Sequence, residues 1–298
     1  METSTTEQAS TARAIDPSLR VAGVKLAVAD LTRSADFYER VLGLPVTSRD
    51  EDTVTLGFNR ADPLLELSRL EDPVAVPSAS TGLFHVAWLH PSRASLAETV
   101  QRVAASRWPF DGASDHGVSE ALYLSDPDGL GIEIYADRPR EQWERPPGGE
   151  GVRMYTLPLD LDDLLAQGPQ TPGDAMAAET VVGHVHLKVS DVPRAVTFYS
   201  DGLGLQIEAA MPQAAFLAAG GYHHHVGVNS WQSRGAGPAP DGAPGLRGIH
   251  FALSGPKALD ALERSLADGP SQPAGARGED GDLHVSDPDG HRLTFSGA

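Results

Sequence analysis

The stretch LAVADLTRSADFYERVLGL (residues 26–44) recurs as LKVSDVPRAVTFYSDGLGL (residues 187–205), displaced by 161 positions. A second pair, LSDPDG (124–129) and VSDPDG (285–290), recurs with the same displacement. Similarity at one fixed offset, near both ends of a segment, indicates an internal duplication. The sequence therefore predicts two tandem copies of one module.

The duplication sets the predicted domain boundaries. The first module is expected at 19–138 and the second at 180–298, with a connector framed by Pro and Gly at 139–179. Residues 1–18 lack the apolar core of a signal peptide, and we expect them to form a disordered tail.

Each module contains two half-units with the order strand, helix and three strands. In the first half-unit, VKLAVAD (24–30) alternates its apolar residues as a strand does, and LTRSADFYERVL (31–42) spaces them as a helix does. Gly43 is placed to end that helix. The predicted fold class is therefore α+β, with two tandem modules of paired βαβββ units.

The composition excludes several classes of protein. The 298 residues include 23 Lys and Arg against 41 Asp and Glu, and this net charge of −18 disfavours nucleic acid as a partner. Cysteine is absent, which excludes disulfides, thiolate metal sites and a cysteine nucleophile. The sequence has no apolar run long enough to span a membrane. Since 40% of the residues are hydrophobic, we expect a soluble, cytoplasmic protein with a sizeable core.

Ionisable side chains interrupt otherwise apolar strands in the middle of the chain. Alternation turns His85 of LFHVAWL and Glu133 of GIEIYA away from the packed face. The same rule places His184 and His186 of GHVHLKV on the polar face. Any one of these residues alone could be a hydrogen-bonded structural group. Two imidazoles and one carboxylate together, however, form the facial set that suits non-haem Fe(II) and leaves positions open.

A second pattern runs from His116 to Glu133. It reads H-GVSEA-LY-LS-DPDG-LGI-E and resembles the signature of type I extradiol ring-cleavage dioxygenases, with a departure at Ser114. The repeated half-unit, with FY…LG at its helix end and a DPDG turn, is similar to the vicinal oxygen chelate superfamily. Over residues 20–298 the chain looks most like the two-module catechol 2,3-dioxygenases. The resemblance implies curved mixed sheets around a cleft.

The resemblance also implies a metal bound by two His on first strands of half-units and one Glu on a last strand. Position by position, Glu133 matches the signature Glu, and His85 lies on the first strand of the same half-unit. The third ligand is expected on the first strand of a neighbouring half-unit. In the first module that position is Lys25, and its equivalent in the second module is His186, which favours a site shared by half-units two and three. His184, which lies on the same strand face, stays an alternative.

The complementary half-units offer a poorer set of ligands. Half-units one and four provide Lys25 and His250, with Thr294 where the signature has its Glu. We expect that site to be degenerate because it lacks the carboxylate. A site that pairs His186 with His250 is a weaker alternative, since Thr294 would then have to replace the carboxylate.

The resemblance further places an acid/base His on the strand HHHVGVNSW. Because the valines that follow are expected to face the helix, His225 is assigned to the cavity, with His223 as the reserve. By the same alternation, His224 is expected on the packed face. His116 and Tyr123 match positions that hydrogen-bond the substrate oxygens, although Tyr123 could equally be a core aromatic.

The function implied by the resemblance is Fe(II)-dependent extradiol cleavage, with Mn(II) as an alternative metal. O2 would be inserted into a small aromatic diol to give a muconic semialdehyde, a reaction of aromatic hydrocarbon catabolism. The alternatives are a glyoxalase-like isomerase or lyase and a metal-free, ligand-sequestering resistance protein of the same fold. The sequence leaves the ring substituents open, together with the oligomeric state, a homo-oligomer included.

Overall fold

Two eight-stranded sheets contain the sixteen strands of the computed structural model, which describes residues 14–148, 151–268 and 275–297. Each βαβββ half-unit contributes four strands and one helix. Half-units one and four form the first sheet, and half-units two and three form the second. The predicted α+β fold of paired βαβββ units is confirmed, and each sheet combines strands from both modules.

The four half-units follow one another along the chain, and the connector lies between the second and the third. Their strands are β1 (Arg20–Val28), β2 (Val46–Arg49), β3 (Thr53–Leu56), β4 (Leu65–Arg69), β5 (Gly82–His90), β6 (Gly112–Asp115), β7 (Ser119–Ser125), β8 (Gly131–Asp137), β9 (Val181–Lys188), β10 (Gln206–Met211), β11 (Ala214–Ala218), β12 (Val226–Asn229), β13 (Gly245–Leu253), β14 (Gly275–Arg277), β15 (Leu283–Ser286) and β16 (Arg292–Gly297).

The helices are short, and one of them lies in the connector. They are α1 (Leu31–Asp36), α2 (Arg93–Ala105), the connector helix α3 (Leu161–Ala166), α4 (Val192–Val196) and α5 (Pro256–Asp268). Two π-helical turns, Phe37–Leu42 and Thr197–Gly202, extend α1 and α4, and a 3-10 turn spans Arg140–Gln142. Within the described ranges, no helix has the length and apolar character needed to cross a lipid bilayer.

One antiparallel strand pair joins the two modules in each sheet. The first sheet has the order β14-β15-β16-β13-β1-β4-β3-β2, and β1 pairs antiparallel with β13 at its centre. The second sheet has the order β10-β11-β12-β9-β5-β8-β7-β6, and β5 pairs antiparallel with β9 at its centre. On either side of these pairs, the first strand of each half-unit lies parallel to its last strand.

The first helical segment begins at Leu31 and ends at Gly43, as the sequence predicts, although its second half is a π-helical turn. Asp30 caps α1 by accepting the backbone N–H of Arg33, and its duplicate Asp191 caps α4 in the same way. Gly43 ends the first helical segment with a φ of 85°, a left-handed conformation that favours glycine. The helices pack on their own sheets, where the largest fully buried side chains include Trp88.

Equivalent hydrogen bonds tie the two half-units of each module together. The hydroxyl of Tyr38, beside α1, donates to Asp126 Oδ2 at 3.2 Å, and the hydroxyl of Tyr199 donates to Asp287 Oδ2 at 3.0 Å. Both tyrosines are buried, and each aspartate opens a DPDG turn. The repeated FY and DPDG motifs therefore serve the packing of the module.

The start of the described chain packs against the second module. Of the predicted tail, 1–18, residues 1–13 lie outside the described residues. Ile15 is buried, and its N–H donates to the carbonyl of Gly204 at 3.0 Å. The expectation of a disordered tail is therefore corrected for residues 14–18, because an apolar side chain here joins the core.

A buried arginine fastens the connector to the first module. The Arg102 guanidinium, on α2, donates to the carbonyls of Leu42 at 2.9 Å, Gly173 at 2.7 Å and Ala175 at 2.7 Å. Arg102 is only 6% exposed, and this burial lowers the pKa of its guanidinium. The connector helix α3 also packs on α2.

Arg102→Met is expected to lower the free energy of unfolding by about 3 kcal/mol, because it leaves one buried and two partly buried carbonyls without their donor. Chemical denaturation followed by circular dichroism measures this change. The control is Arg264→Met on an exposed position of α5, which should stay within about 0.5 kcal/mol of the parent. Equal, small effects of the two substitutions would contradict the anchoring role.

Candidate metal centre and cavity

The pairing of β5 with β9 brings polar side chains of half-units two and three together. His85 lies opposite His186 in this pair, and Ala87 lies opposite His184. On its other side, Ala87 is paired with Glu133 of β8. Directly paired residues project to the same face of a sheet, so the imidazoles and the carboxylate converge there. The small Ala87 side chain leaves room between His184 and Glu133.

Three of these side chains form a compact group of ligand atoms. Glu133 Oε2 lies 3.0 Å from His85 Nε2 and 3.3 Å from His184 Nε2. The ligand atoms all lie within 4.8 Å of one another, and all three residues are buried. His85 Nε2 has no hydrogen-bond partner in spite of its short distance to the carboxylate. Two imidazoles, one of them with an orphaned nitrogen, and one carboxylate fit a divalent metal such as Fe(II).

Burial and mutual contact set the protonation of this cluster. Burial alone would raise the pKa of Glu133, but the facing His184 and His85 imidazoles hold it well below its usual range. Burial lowers the pKa of His184 to about 4, although the carboxylate opposes this shift. Ionised carboxylates and neutral imidazoles are the forms that coordinate a metal.

The third member of the cluster differs from the residue that the sequence favours. His186 projects from the same face, with its ring centroid 5.0 Å from that of His85, but it is not one of the three residues whose ligand atoms converge. Ala87 of β5 pairs with Glu133 of β8 on one side and with His184 of β9 on the other. His184 precedes His186 by two residues on β9. His186 nevertheless lines a cavity together with His85 and Glu133, and its Nε2 is buried without a hydrogen-bond partner, as His85 Nε2 is. His186 as the third ligand therefore stays a prediction, with His184 as the alternative that lies nearest the carboxylate.

The side chain of His186 lines this cavity next to the cluster. Burial, together with the His85 and His184 imidazoles, lowers the pKa of His186 well below its usual range. The rival partner, His250, lies on β13 of the other sheet, where its Nε2 is 3.0 Å from Ser296 Oγ. The alternative that pairs His186 with His250 therefore does not form a cluster within the described residues.

A cavity of about 360 Å³ opens beside the cluster. His85, Glu133 and His186 contribute to its wall, and the rest of the wall is largely apolar and aromatic. The other apolar and aromatic lining residues are Phe84, Val118, Tyr123, Met154, Tyr155, Met211, Phe216 and Trp231. Such a wall, apolar with a few polar groups, suits a small, largely apolar molecule.

The connector supplies part of this wall, a role that the sequence did not indicate. Met154, Tyr155 and Thr156 line the cavity, and the backbone of Leu157 pairs with that of Asp115 at the edge of the second sheet. The only signal in the sequence was the alternation of apolar residues in VRMYTLPL. That alternation predicts an added strand but not the sheet that receives it.

His116 and Tyr123 lie in the cavity wall as a hydrogen-bonded pair. His116 Nδ1 donates to the carbonyl of Tyr155 at 2.8 Å, so in the neutral ring Nε2 accepts from the Tyr123 hydroxyl at 2.7 Å. Burial and the Glu133 carboxylate raise the pKa of Tyr123 well above its usual value. Tyr123 therefore keeps its proton at neutral pH and remains a hydrogen-bond donor.

The histidine run is placed differently from the sequence-based expectation. β12 begins at Val226, so residues 223–225 precede the strand and do not continue its alternation. His224 lines the cavity. His225 Nδ1 instead accepts a backbone N–H at 3.2 Å, and His223 turns toward a carboxylate on β8. The predicted assignment of His225 to the cavity, with His223 in reserve, is therefore corrected to His224.

Known proteins resemble this chain over both modules. The model of the Glyoxalase/Bleomycin resistance protein/Dioxygenase superfamily matches residues 20–134 and 181–295, one match in each module. A curated protein of Bacillus subtilis (strain 168), named catechol-2,3-dioxygenase, is 41% identical over 241 residues. This alignment covers 80% of the present chain and 84% of the relative.

Solved structures share the fold at low sequence identity. A candidate dioxygenase from Bacillus subtilis subsp. subtilis strain 168 has a TM-score of 0.65 at 14% identity, covering 95% of this chain and 85% of that one. Glyoxalase I from Zea mays has a TM-score of 0.55 at 16% identity, with coverage of 93% and 92%. At such identities the likeness concerns the fold alone. Because the family model matches both modules, the chain belongs to the Glyoxalase/Bleomycin resistance protein/Dioxygenase superfamily.

Proposed function

We propose that this protein is an Fe(II)-dependent extradiol dioxygenase, which cleaves a catechol-type diol with O2 to give a muconic semialdehyde. The observation that carries the proposal is the cluster of His85, Glu133 and His184 beside an aromatic cavity of about 360 Å³. The 41% identity to a protein named catechol-2,3-dioxygenase supports the same reaction. Mn(II) suits the same set of donors as an alternative metal.

His85, Glu133 and His184 would hold the metal. Bound there, Fe(II) would supply the one-electron chemistry that allows O2 to react with a diol. One carboxylate only partly offsets a divalent charge, so the site favours an ionised substrate oxygen. With three protein ligands, positions are left for the substrate.

The remaining polar groups of the cavity would act on the substrate itself. Burial lowers the pKa of His224 well below its usual range and so keeps its imidazole neutral. Because His224 lines the cavity, it would be the group that receives the proton of a bound diol. Tyr123, whose single hydroxyl proton is donated to His116, would accept a hydrogen bond from a diol hydroxyl at the cleavage side. Phe216 and Trp231 would pack against the ring and exclude water.

Oxygen uptake by protein loaded anaerobically with Fe(II) tests the proposal, with catechol as substrate. The expected product contains the diol plus both atoms of O2, as seen by mass spectrometry with ¹⁸O2. Metal-dependent conversion of a glyoxalase substrate without oxygen uptake would instead support the isomerase alternative. Catechol binding without retained metal or turnover would support the ligand-sequestering alternative.

Glu133→Ala and His184→Ala are each expected to weaken iron binding by more than about 100-fold, because two remaining side chains hold the ion poorly. Metal analysis after anaerobic loading and desalting measures this loss. His186→Ala is the matched control, since it removes a buried imidazole from the same strand face, and it should keep its iron. Iron lost from His186→Ala and retained by His184→Ala would support the assignment that the sequence favours.

His224→Phe is expected to keep its iron and bind catechol, while kcat falls by roughly 10²–10⁴-fold, the usual contribution of a positioned acid/base group. Steady-state oxygen consumption, with iron content measured on the same samples, gives the rate of the loaded enzyme. His225→Phe tests whether the neighbouring residue, and not His224, is the acid/base group. A large loss of kcat in His225→Phe, together with a normal kcat in His224→Phe, would assign the acid/base role to His225.

A further inference from the structure

Three side chains form a line from the protein surface to the cavity. Asp137, the last residue of β8, accepts a hydrogen bond at Oδ1 from His223 Nε2 at 2.9 Å. His223 Nδ1 in turn lies 2.7 Å from His224 Nδ1. The Asp137 side chain is 25% exposed, the His223 side chain is 1% exposed, and His224 lines the cavity. The series therefore connects a partly exposed carboxylate to the proposed acid/base group.

When both rings are neutral, these hydrogen bonds allow one arrangement of the ring protons. A carboxylate only accepts, so His223 Nε2 carries a proton. In a neutral His223 ring, Nδ1 is then the acceptor, and His224 Nδ1 must donate to it. A neutral His224 with its proton on Nδ1 has a free lone pair on Nε2. Within the described part of the chain, Nε2 has no hydrogen-bond partner.

Aromatic side chains hold His223 in this orientation. The Tyr222 ring packs on it with centroids 4.1 Å apart, and the Trp143 ring lies at 5.4 Å. The Tyr222 hydroxyl also donates to Asp137 Oδ1 at 3.4 Å. The His223 ring is thus fixed by two aromatic faces and by a hydrogen bond at each nitrogen, which leaves it little freedom to turn.

We propose that Asp137 and His223 are positioning residues, which hold His224 in the Nδ1-protonated tautomer so that Nε2 faces the substrate. This inference rests on the proposed function, because it concerns the group that moves the substrate proton. A carboxylate that fixes the tautomer of an imidazole base is an established device in hydrolases, where its loss leaves the geometry but impairs turnover. Here a second imidazole transmits the effect of the carboxylate.

The test compares His223→Phe with His224→Ala, singly and together, in the full iron-loaded protein. His223→Phe is expected to lower kcat for catechol by roughly 10–100-fold, as loss of an outer-shell partner does, with little change in KM or iron content. In the His224→Ala background, the same substitution should change kcat by less than about twofold, since residues that act through one another are not additive. His284→Phe, at an exposed position of β15, is the control and should retain the parent kcat.

A second measurement does not depend on turnover. In iron-free protein labelled with ¹⁵N-histidine, the NMR spectrum of the parent should show His224 protonated at Nδ1. His223→Phe should shift His224 toward the Nε2-protonated form, because the acceptor of its Nδ1 proton is gone. Asp137→Asn changes a partly exposed side chain and serves the same test if the buried substitution prevents folding.

The outcomes distinguish failure of the relay, in which Asp137 and His223 position His224, from failure of the proposed function. If His224→Ala impairs turnover while His223→Phe and Asp137→Asn change neither kcat nor the tautomer, the relay is wrong and the dioxygenase proposal stands. If His224→Ala has the parent kcat, the acid/base role fails, and the relay fails with it. An equal loss from His223→Phe in both backgrounds would also overturn the relay, because His223 would then act independently of His224.

Discussion

The register between β5 and β9 is the constraint on which the candidate site depends. This pair joins half-units of different modules and sets His184 in the row that contains Ala87 and Glu133. A slip of one residue would turn every side chain of β9 to the opposite face. Val185 and Leu187, both fully buried, would then leave the core. Hydrophobic packing therefore enforces the register that gathers the ligand atoms, and the stability of the second sheet and the geometry of the cluster have the same cause.

Features that depend on one strand or one helix were predictable from the sequence. His85 and Glu133 follow from the alternation of their strands, because Val86 and Ile132 must be buried while their neighbours face the cavity. Gly43 follows from the spacing of one helix. The βαβββ half-units follow from the duplication, since a pattern found twice at one offset is a stronger signal than either copy alone.

Features that depend on relations between strands were not predictable. His184 and His186 lie on the same face of β9, so the alternation of side chains cannot distinguish between them. The 161-residue offset shows that His186 corresponds to Lys25 in the duplication, but it does not show which residue lies beside Glu133 in the sheet. Which of the two lies beside Glu133 is set by the pairing of β5 with two distant strands, and that pairing places His184 there. The prediction for residues 223–225 was wrong for a related reason. Alternation was extended back from Val226 into residues that precede β12, where the backbone is not a strand.

The duplication also separates what folding requires from what the proposed chemistry requires. The buried Tyr–Asp hydrogen bond is present in both modules, because each module must pack its helix against its own DPDG turn. Within the part of the chain that the structure describes, the proposed metal cluster is not duplicated. At the position equivalent to His186 the first sheet has Lys25, whose ammonium pairs with Glu66 at 3.2 Å. A cation there repels a divalent metal, whereas this partly exposed ion pair remains solvated. The free-energy cost of desolvating this cluster of imidazoles and a carboxylate therefore falls on the second sheet. The first sheet contributes to the stability of the fold without that cost.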